Sequence, residues 1–271
     1  MRGGRSERRA CPGVPAGGSQ GTPMPTATVI LPAAGRGARF AMPGGRGRAA
    51  TVGAPETKVF VSLAGRPVLA HTLDRFANLE AVIEIIVPLP PEAVAWARET
   101  FGDRVASGRP LIFVGGGEDR VESVAEALAA SDGQSDLVVI HDAVRPLVRR
   151  AVVEEAMRVA IEQGAAVVGR PVDHTVKRVA DGSRVAETVP RENLWLAQTP
   201  QVFRRDVIAQ AYERRRHVVG RVTDDAQLVE AMGGCVAMVR GDAANVKITT
   251  IEDLRFCEAL LAGGWPFEDD E

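Results

Sequence analysis

Short apolar runs rich in β-branched residues recur along the chain at 28–32, 82–88, 111–114, 137–141, 165–170 and 235–239. Helical patterns fill the gaps at 67–77, 91–100, 119–131, 149–163, 204–216, 224–232 and 251–262. Strands that are apolar throughout, alternating with amphipathic helices, leave few choices. The sheet must be mostly parallel and covered on both faces, an α/β architecture. Thr250 and Asp253, three apart at the start of the last helical pattern, predict a capping box.

One segment breaks this rhythm. Residues 172–189 hold two alternating runs around Ala180-Asp181-Gly182, and Asp-Gly between β-formers signals a hairpin. A polar hairpin inserted into a parallel α/β domain has little core of its own, so it is expected to project as an arm. A projecting arm is expected to meet a second subunit. Residues 1–26 are rich in Gly, Pro, Ser and Arg and read as a disordered tail. One domain is expected over 27–264, followed by an acidic tail at 265–271.

Composition removes several classes of function. With 271 residues, the chain fits one large α/β domain or two small ones. A net charge of −2 supplies no basic field for nucleic acid, and Tyr212 is the single tyrosine, which argues against base-stacking platforms. Cys11, Cys235 and Cys257 are widely spaced with no CxxC, so neither a zinc site nor a disulfide framework is indicated. Cys235 and Cys257 sit in apolar contexts and are expected in the core. No apolar run is long enough to span a membrane, and no apolar stretch follows the first arginines as in a secretory signal. A soluble cytoplasmic protein is expected.

In open α/β sheets, ligands occupy the crevice beyond the carboxyl ends of the strands, so the residues just after each run matter most. The first run ends in Pro32-Ala33-Ala34-Gly35-Arg36-Gly37-Ala38-Arg39. Small residues let backbone N–H groups come close to an anion, and two arginines stand among them. The sequence is neither a P-loop nor a GxGxxG fingerprint. A Gly- and Pro-rich loop at 41–57 then separates this turn from Lys58. Later come Gly115-Gly116-Gly117 with Ser123, then Asp142 with Arg145, then Thr175, and Gly241-Asp242 leading to Lys247. Several cations, glycine-rich turns and one strand-end carboxylate suit phosphoryl or nucleotidyl transfer, where positioning and charge stabilisation dominate. Asp142 is a candidate to hold ribose, a substrate hydroxyl or Mg²⁺. His141 is expected to be structural, and His174 and His217 to lie on the surface.

Eight segments in order now carry a resemblance: LPAAGRGARF, KVF followed by LAGRPVLAHTL, GGGEDRVESV, HDAVRP, PVDHTVKRV, PRENLWLAQTPQVF, TDDAQLVEAMGG and GDAANVKITTIEDL. The chain resembles the 2-C-methyl-D-erythritol 4-phosphate cytidylyltransferases from about Thr28 to about Ala262. The resemblance implies a doubly wound, Rossmann-like nucleotidyltransferase fold with a protruding β-arm, and a homodimer whose arms reach the neighbouring subunit. It implies transfer of CMP from CTP to methylerythritol phosphate in non-mevalonate isoprenoid biosynthesis, with Mg²⁺ bridging the triphosphate. Arg39, Lys58, Lys247 and Arg191 match the catalytic cations. Pro32, Ala33, Ala34, Gly35, Gly37, Gly116 and Ser123 match the cytidine pocket. Asp142, Arg145, Thr175, Arg191 and Thr199 match contacts to the polyol phosphate. No dedicated metal ligand is implied beyond the phosphates, Asp142 being the candidate. Two departures stand out. The loop between Arg39 and Lys58 is longer than in typical members, and Val144 also occurs in the sister ribitol-phosphate family. The alternatives are therefore a ribitol-5-phosphate cytidylyltransferase and a catalytically weak nucleotide-binding homologue.

Overall fold

A computed structural model describes residues 25–35, 53–105 and 107–264. Residues 1–24 of the expected tail at 1–26, the tail at 265–271, and residues 36–52, which include most of the expected loop, lie outside them. Seven strands form one sheet: β1 (Ala27–Ile30), β4 (Val82–Leu89), β5 (Leu111–Gly115), β6 (Leu137–Ile140), β7 (Ala165–Pro171), β10 (Trp195–Arg204) and β11 (Ala237–Arg240). Their order is β11-β7-β10-β6-β1-β4-β5. β10 pairs antiparallel with both β6 and β7, and every other pairing in this sheet is parallel. The small ribbon of β2 (Ser62–Leu63) and β3 (Arg66–Pro67) precedes the first helix.

Helices cover both faces, as the all-apolar strands require. Val29 and Leu31 point to a core shared with α1 (Val68–Ala77), α2 (Pro91–Phe101), α4 (Arg150–Gln163) and α7 (Ile251–Ala262). Ile30 and Ile140 point the other way, to α3 (Arg120–Ala130), α5 (Arg205–Glu213) and α6 (Ala226–Ala231). Cys257 is a free buried thiol in the first core. Cys235, also expected in the core, is only half-buried.

The strand β10 has no counterpart in the sequence pattern. Gln198, Thr199, Pro200 and Gln201 interrupt its apolar run, and its register against β7 shifts between Ala197 and Gln201. Pro200 has no N–H to give to a ladder. The buried Gln201 is satisfied instead by chain on the α6 side: its Oε1 accepts from the N–H of Asp225 at 3.0 Å and of Ala226 at 3.1 Å. The helical pattern at 204–216 also ends early, α5 stopping at Glu213.

The 172–189 segment is a hairpin of β8 (Val176–Val179) and β9 (Val185–Val189), paired only with each other. Gly182 supplies the turn's left-handed backbone at φ +84°. The arm is held by cross-strand polar pairs, among them Arg178 with Glu187 at 2.5 Å and Lys177 with Thr188 at 2.6 Å. Val179, Val185 and, at the arm's base, Leu196 remain exposed. A two-stranded hairpin with so little cover is marginal in water by itself.

The capping box at α7 forms as expected. Asp253 N–H donates to Thr250 Oγ1 at 3.3 Å, and Thr250 N–H donates to Asp253 Oδ2 at 2.8 Å. Thr250→Ala is expected to destabilise the protein by about 1 kcal/mol, read from urea unfolding. An unchanged midpoint would mean that the remaining bonds from Thr249 to Asp253 hold this helix end without Thr250.

Candidate active site

The sheet reverses its winding between β1 and β6. The chain runs from β1 outward through β4 to β5, then returns to β6 on the other side. Beyond the carboxyl ends of these strands lies a cleft of about 620 Å³. This is where an open doubly wound sheet leaves a crevice.

The first loop is held as a continuation of the sheet. Leu31 N–H donates to Ile86 O and Ala33 N–H donates to Pro88 O, both at 2.9 Å. Gly116 N–H donates to Leu89 O at 2.7 Å, which lays the loop after β5 beside Ala34. The approach is too close for any side chain. A Cβ on Gly116 would stand 2.4 Å from Ala34 Cβ and 2.9 Å from Ser123 Oγ. The N-terminus of α3 opens on the same space. Asp119 caps it by accepting from Glu122 N–H at 2.9 Å, and Ser123 Oγ donates to Asp119 O at 2.6 Å. The Ser123 hydroxyl donates its proton there and keeps its lone pairs to accept a hydrogen bond. A helix N-terminus with small loops around it favours an anion.

Lys58 also lines the cleft. It begins a short 3₁₀ turn, Lys58–Phe60, whose buried Val59 and Phe60 anchor it. Phe60 packs on Trp96 with ring centroids 4.5 Å apart.

Asp142 is the carboxylate at the end of β6 and is only 6% exposed. Its Oδ2 faces Lys247 Nζ at 3.0 Å and Arg145 Nε at 3.1 Å, while its Oδ1 faces Arg120 Nε at 3.7 Å. Burial pushes this carboxyl up, but Lys247, Arg120 and Arg145 together hold it well below the usual carboxylate range. Lys247 is brought in by Ile248 N–H, which donates to Val144 O at 2.9 Å. Arg145 also donates to Asn245 O at 2.7 Å, and Asn245 in turn donates to Thr199 O at 2.8 Å.

Beneath Asp142 runs a chain of single hydrogen bonds. Asp142 N–H donates to Thr199 Oγ1 at 3.0 Å, Thr199 Oγ1 lies 3.1 Å from His141 Nδ1, and His141 Nε2 lies 3.0 Å from Arg145 O. The set is satisfied when Nε2 carries the proton and the ring is neutral. Burial agrees, pushing the His141 imidazole down to about 4.

Pro32, Ala33, Ala34, Gly35, Gly116, Ser123, Lys58, Asp142 and Lys247 thus line one cleft. Arg145 stands directly behind Asp142, and Thr199 lies beneath it with its hydroxyl committed internally. Thr175 and Arg191 are not brought there. Both are exposed at the arm, and the Arg191 guanidinium donates to the backbone carbonyl of Asp173. Gly37 and Arg39 lie outside the described residues. His141 is internal, and His174 and His217 are exposed, as expected. Arg120 lines the cleft without having been singled out in the sequence. The available signal was its position, a cation in the first turn of a helix, where the dipole disfavours it.

A cation-ringed strand-end carboxylate, a helix N-terminus and two glycine-tight loops, set at the switch point of a doubly wound sheet, define a nucleotidyltransferase. Comparison with known proteins narrows the class. The family model for IspD, 2-C-methyl-D-erythritol 4-phosphate cytidylyltransferase, matches residues 27–263. A protein of that name from Rhodopirellula baltica is 42% identical, with 86% of this chain and 94% of the relative covered. Another from Bacillus licheniformis is 37% identical over 86% of this chain and 94% of the relative. The crystal structure of the Thermus thermophilus cytidylyltransferase superposes with a TM-score of 0.68 at 34% identity, covering 88% of this chain and 100% of that one. The chain belongs to the 2-C-methyl-D-erythritol 4-phosphate cytidylyltransferase family.

The neutral His141 has a measurable consequence. In the unfolded chain it titrates near its ordinary value of 6.5, whereas the buried ring refuses the proton until about pH 4. Its contribution is complete above about pH 6.5 and is lost as pH falls toward 4, because the unfolded state then binds more protons. His71 shifts in the same direction, and Glu84, raised by burial, acts in the opposite sense. A comparison with His141→Gln isolates the His141 share. Urea midpoints of the parent are expected to fall more steeply than those of the variant between about pH 6.5 and pH 4. Parallel profiles would contradict a buried neutral imidazole.

Proposed function

We propose that the cleft divides its work between a cytidine end, a phosphate centre and a polyol end. The reaction is transfer of CMP from CTP to 2-C-methyl-D-erythritol 4-phosphate, giving CDP-methylerythritol and pyrophosphate. It serves isoprenoid precursor synthesis. The observation that carries the assignment of roles is the convergence of Lys58, Lys247, Asp142 and the Ala34–Gly116–Ser123 cradle on a single cleft. The relatives named above are methylerythritol-phosphate enzymes, and the ribitol-phosphate alternative finds no support among them.

At the cytidine end, the backbone of Pro32–Gly35 and Gly116 and the Ser123 hydroxyl read the pyrimidine edge and the ribose. At the centre, a phosphate oxygen of methylerythritol phosphate attacks the α-phosphorus of CTP. The new O–P bond forms as the bond to the bridging oxygen of pyrophosphate breaks. Charge shifts toward the leaving group, and Lys58, Lys247 and the α3 N-terminus meet it. Arg39, outside the described residues, is assigned to the same task. Asp142 stays ionised at working pH and accepts from the substrate hydroxyls, while Arg145, a donor only, helps to orient them. Thr199 holds Asp142 from beneath.

Mg²⁺ fits this site as an ion carried in by the triphosphate. No cluster of three potential ligands occurs among the described residues, and Asp142 is the strand-end carboxylate on the cleft wall. Such an ion, when bound, offsets triphosphate charge and aligns the phosphates. Asp142 and Lys247 would flank it.

The polyol phosphate is assigned to Arg191 and Thr175 of a neighbouring subunit. The arm carries both residues away from the cleft of its own chain, and its exposed Val179 and Val185 need cover. A homodimer with exchanged arms meets both needs. Arginine suits a phosphate because its fork grips two oxygens. Work in the cytoplasm belongs to the same reading. No helix among the described residues is long and apolar enough to cross a membrane.

The shared site can be tested by mixing two variants. Lys247→Ala and Arg191→Ala are each expected to slow pyrophosphate release by about 10²–10³-fold. Random re-pairing of the two makes half the dimers mixed, each with one intact site, so about a quarter of parental activity should return. No recovery from the mixture would contradict arm exchange.

A further inference from the structure

Arg120 holds two buried carboxylates at once, and only one of them belongs to the cleft. Its Nε faces Asp142 Oδ1 at 3.7 Å, and its Nη1 is 2.5 Å from Asp225 Oδ2. Asp225 is fully buried and fixed from every side. Its Oδ1 accepts from the Tyr212 hydroxyl at 2.5 Å, and its N–H donates to Gln201 Oε1 at 3.0 Å. The guanidinium is therefore clamped from the α5–α6 side of the sheet. It is also the first residue of α3, where a cation works against the helix dipole. An arginine placed there at that cost has a partner that needs it.

That partner is Asp142. Two cations, Lys247 and Arg145, share its Oδ2, and Arg120 is the ion-pair partner of its Oδ1. We propose that Arg120 is a positioning residue for cytidylyl transfer: anchored by Tyr212 and Asp225, it fixes the rotation of the Asp142 carboxylate and so keeps Oδ2 aimed at Lys247. The Tyr212–Asp225–Arg120 chain thereby links the helices behind the sheet to the cation at the phosphate centre. Lysine is not an equivalent, because one ammonium on a flexible stem lacks the two-ended fork that spans both carboxylates. The inference rests on the cytidylyltransferase reading above.

The test compares steady-state kinetics of the parent with Arg120→Gln, Arg120→Lys, Asp225→Asn and the double variant Arg120→Gln/Asp225→Asn. Parental pyrophosphate release from CTP and methylerythritol phosphate checks the underlying reading separately, and its absence would sink that reading. Given an active parent, Arg120→Gln is expected to lower kcat by about 10–100-fold with KM for CTP changed by less than about twofold. Arg120→Lys recovers little of the loss. Asp225→Asn moves kcat in the same direction, and the double variant is no slower than Arg120→Gln, as for residues acting in series. A lowered urea midpoint with parental kcat per folded enzyme would mean a purely structural role and would overturn the proposal. Should Arg120→Gln not fold, Asp225→Asn and the milder Tyr212→Phe decide. Parental kcat in both overturns the inference, and a reduced kcat with unchanged KM for CTP supports it.

Discussion

The Asp142 carboxylate, buried among Lys247, Arg145 and Arg120, is the interaction on which the cleft depends. Each cation arrives on a different piece of chain: Arg120 at the start of α3, Arg145 in the turn after β6, and Lys247 in the segment after β11. Without a central anion these three positive groups would repel one another in a partly dry space. Removing one partner of a buried ion pair typically costs about 3–5 kcal/mol, because the remaining charges are left uncompensated. The same carboxylate thus supports the fold locally and holds three cations together at the cleft.

This hub sits where it does because of sheet topology. β1 lies between β4 and β6, and the reversal of strand order beside it opens the crevice. The two walls are built differently. One wall is a matter of backbone approach, with Gly116 pressed on Ala34 and Ser123 so that no added carbon fits. The opposite wall is a matter of charge, satisfied internally down to the neutral His141. A tight, small-residue wall beside cations held on a buried carboxylate suits a reaction in which charge migrates across phosphates.

Much of this was legible in the residues. The all-apolar runs at 82–88 and 137–141 required a doubly covered, mostly parallel sheet, and these two strands formed with ends within a residue of those expected. The Asp-Gly turn identified the arm. The residues just beyond the strands then pointed to Gly116, Asp142 and Lys247, because strand ends share one edge of such a sheet. The strand β10 was hidden, since Gln198, Thr199 and Gln201 are polar groups satisfied by distant backbone, a pairing that no local pattern displays. Arg120 was hidden for the same reason: its partner Asp225 lies 105 residues away. Thr175 and Arg191 stand exposed at the arm, and neither the sequence pattern nor the fold of one subunit brings them to the cleft.

The most direct measurement is turnover of the Asp142→Asn variant, with CTP binding followed in parallel by calorimetry. The swap keeps the size of the side chain and removes its charge. A folded variant that binds CTP about as the parent does, while transfer to methylerythritol phosphate falls by about 10²-fold or more, is the predicted result. Parental turnover in Asp142→Asn would contradict the account, since the three cations would then be organised without the anion said to hold them.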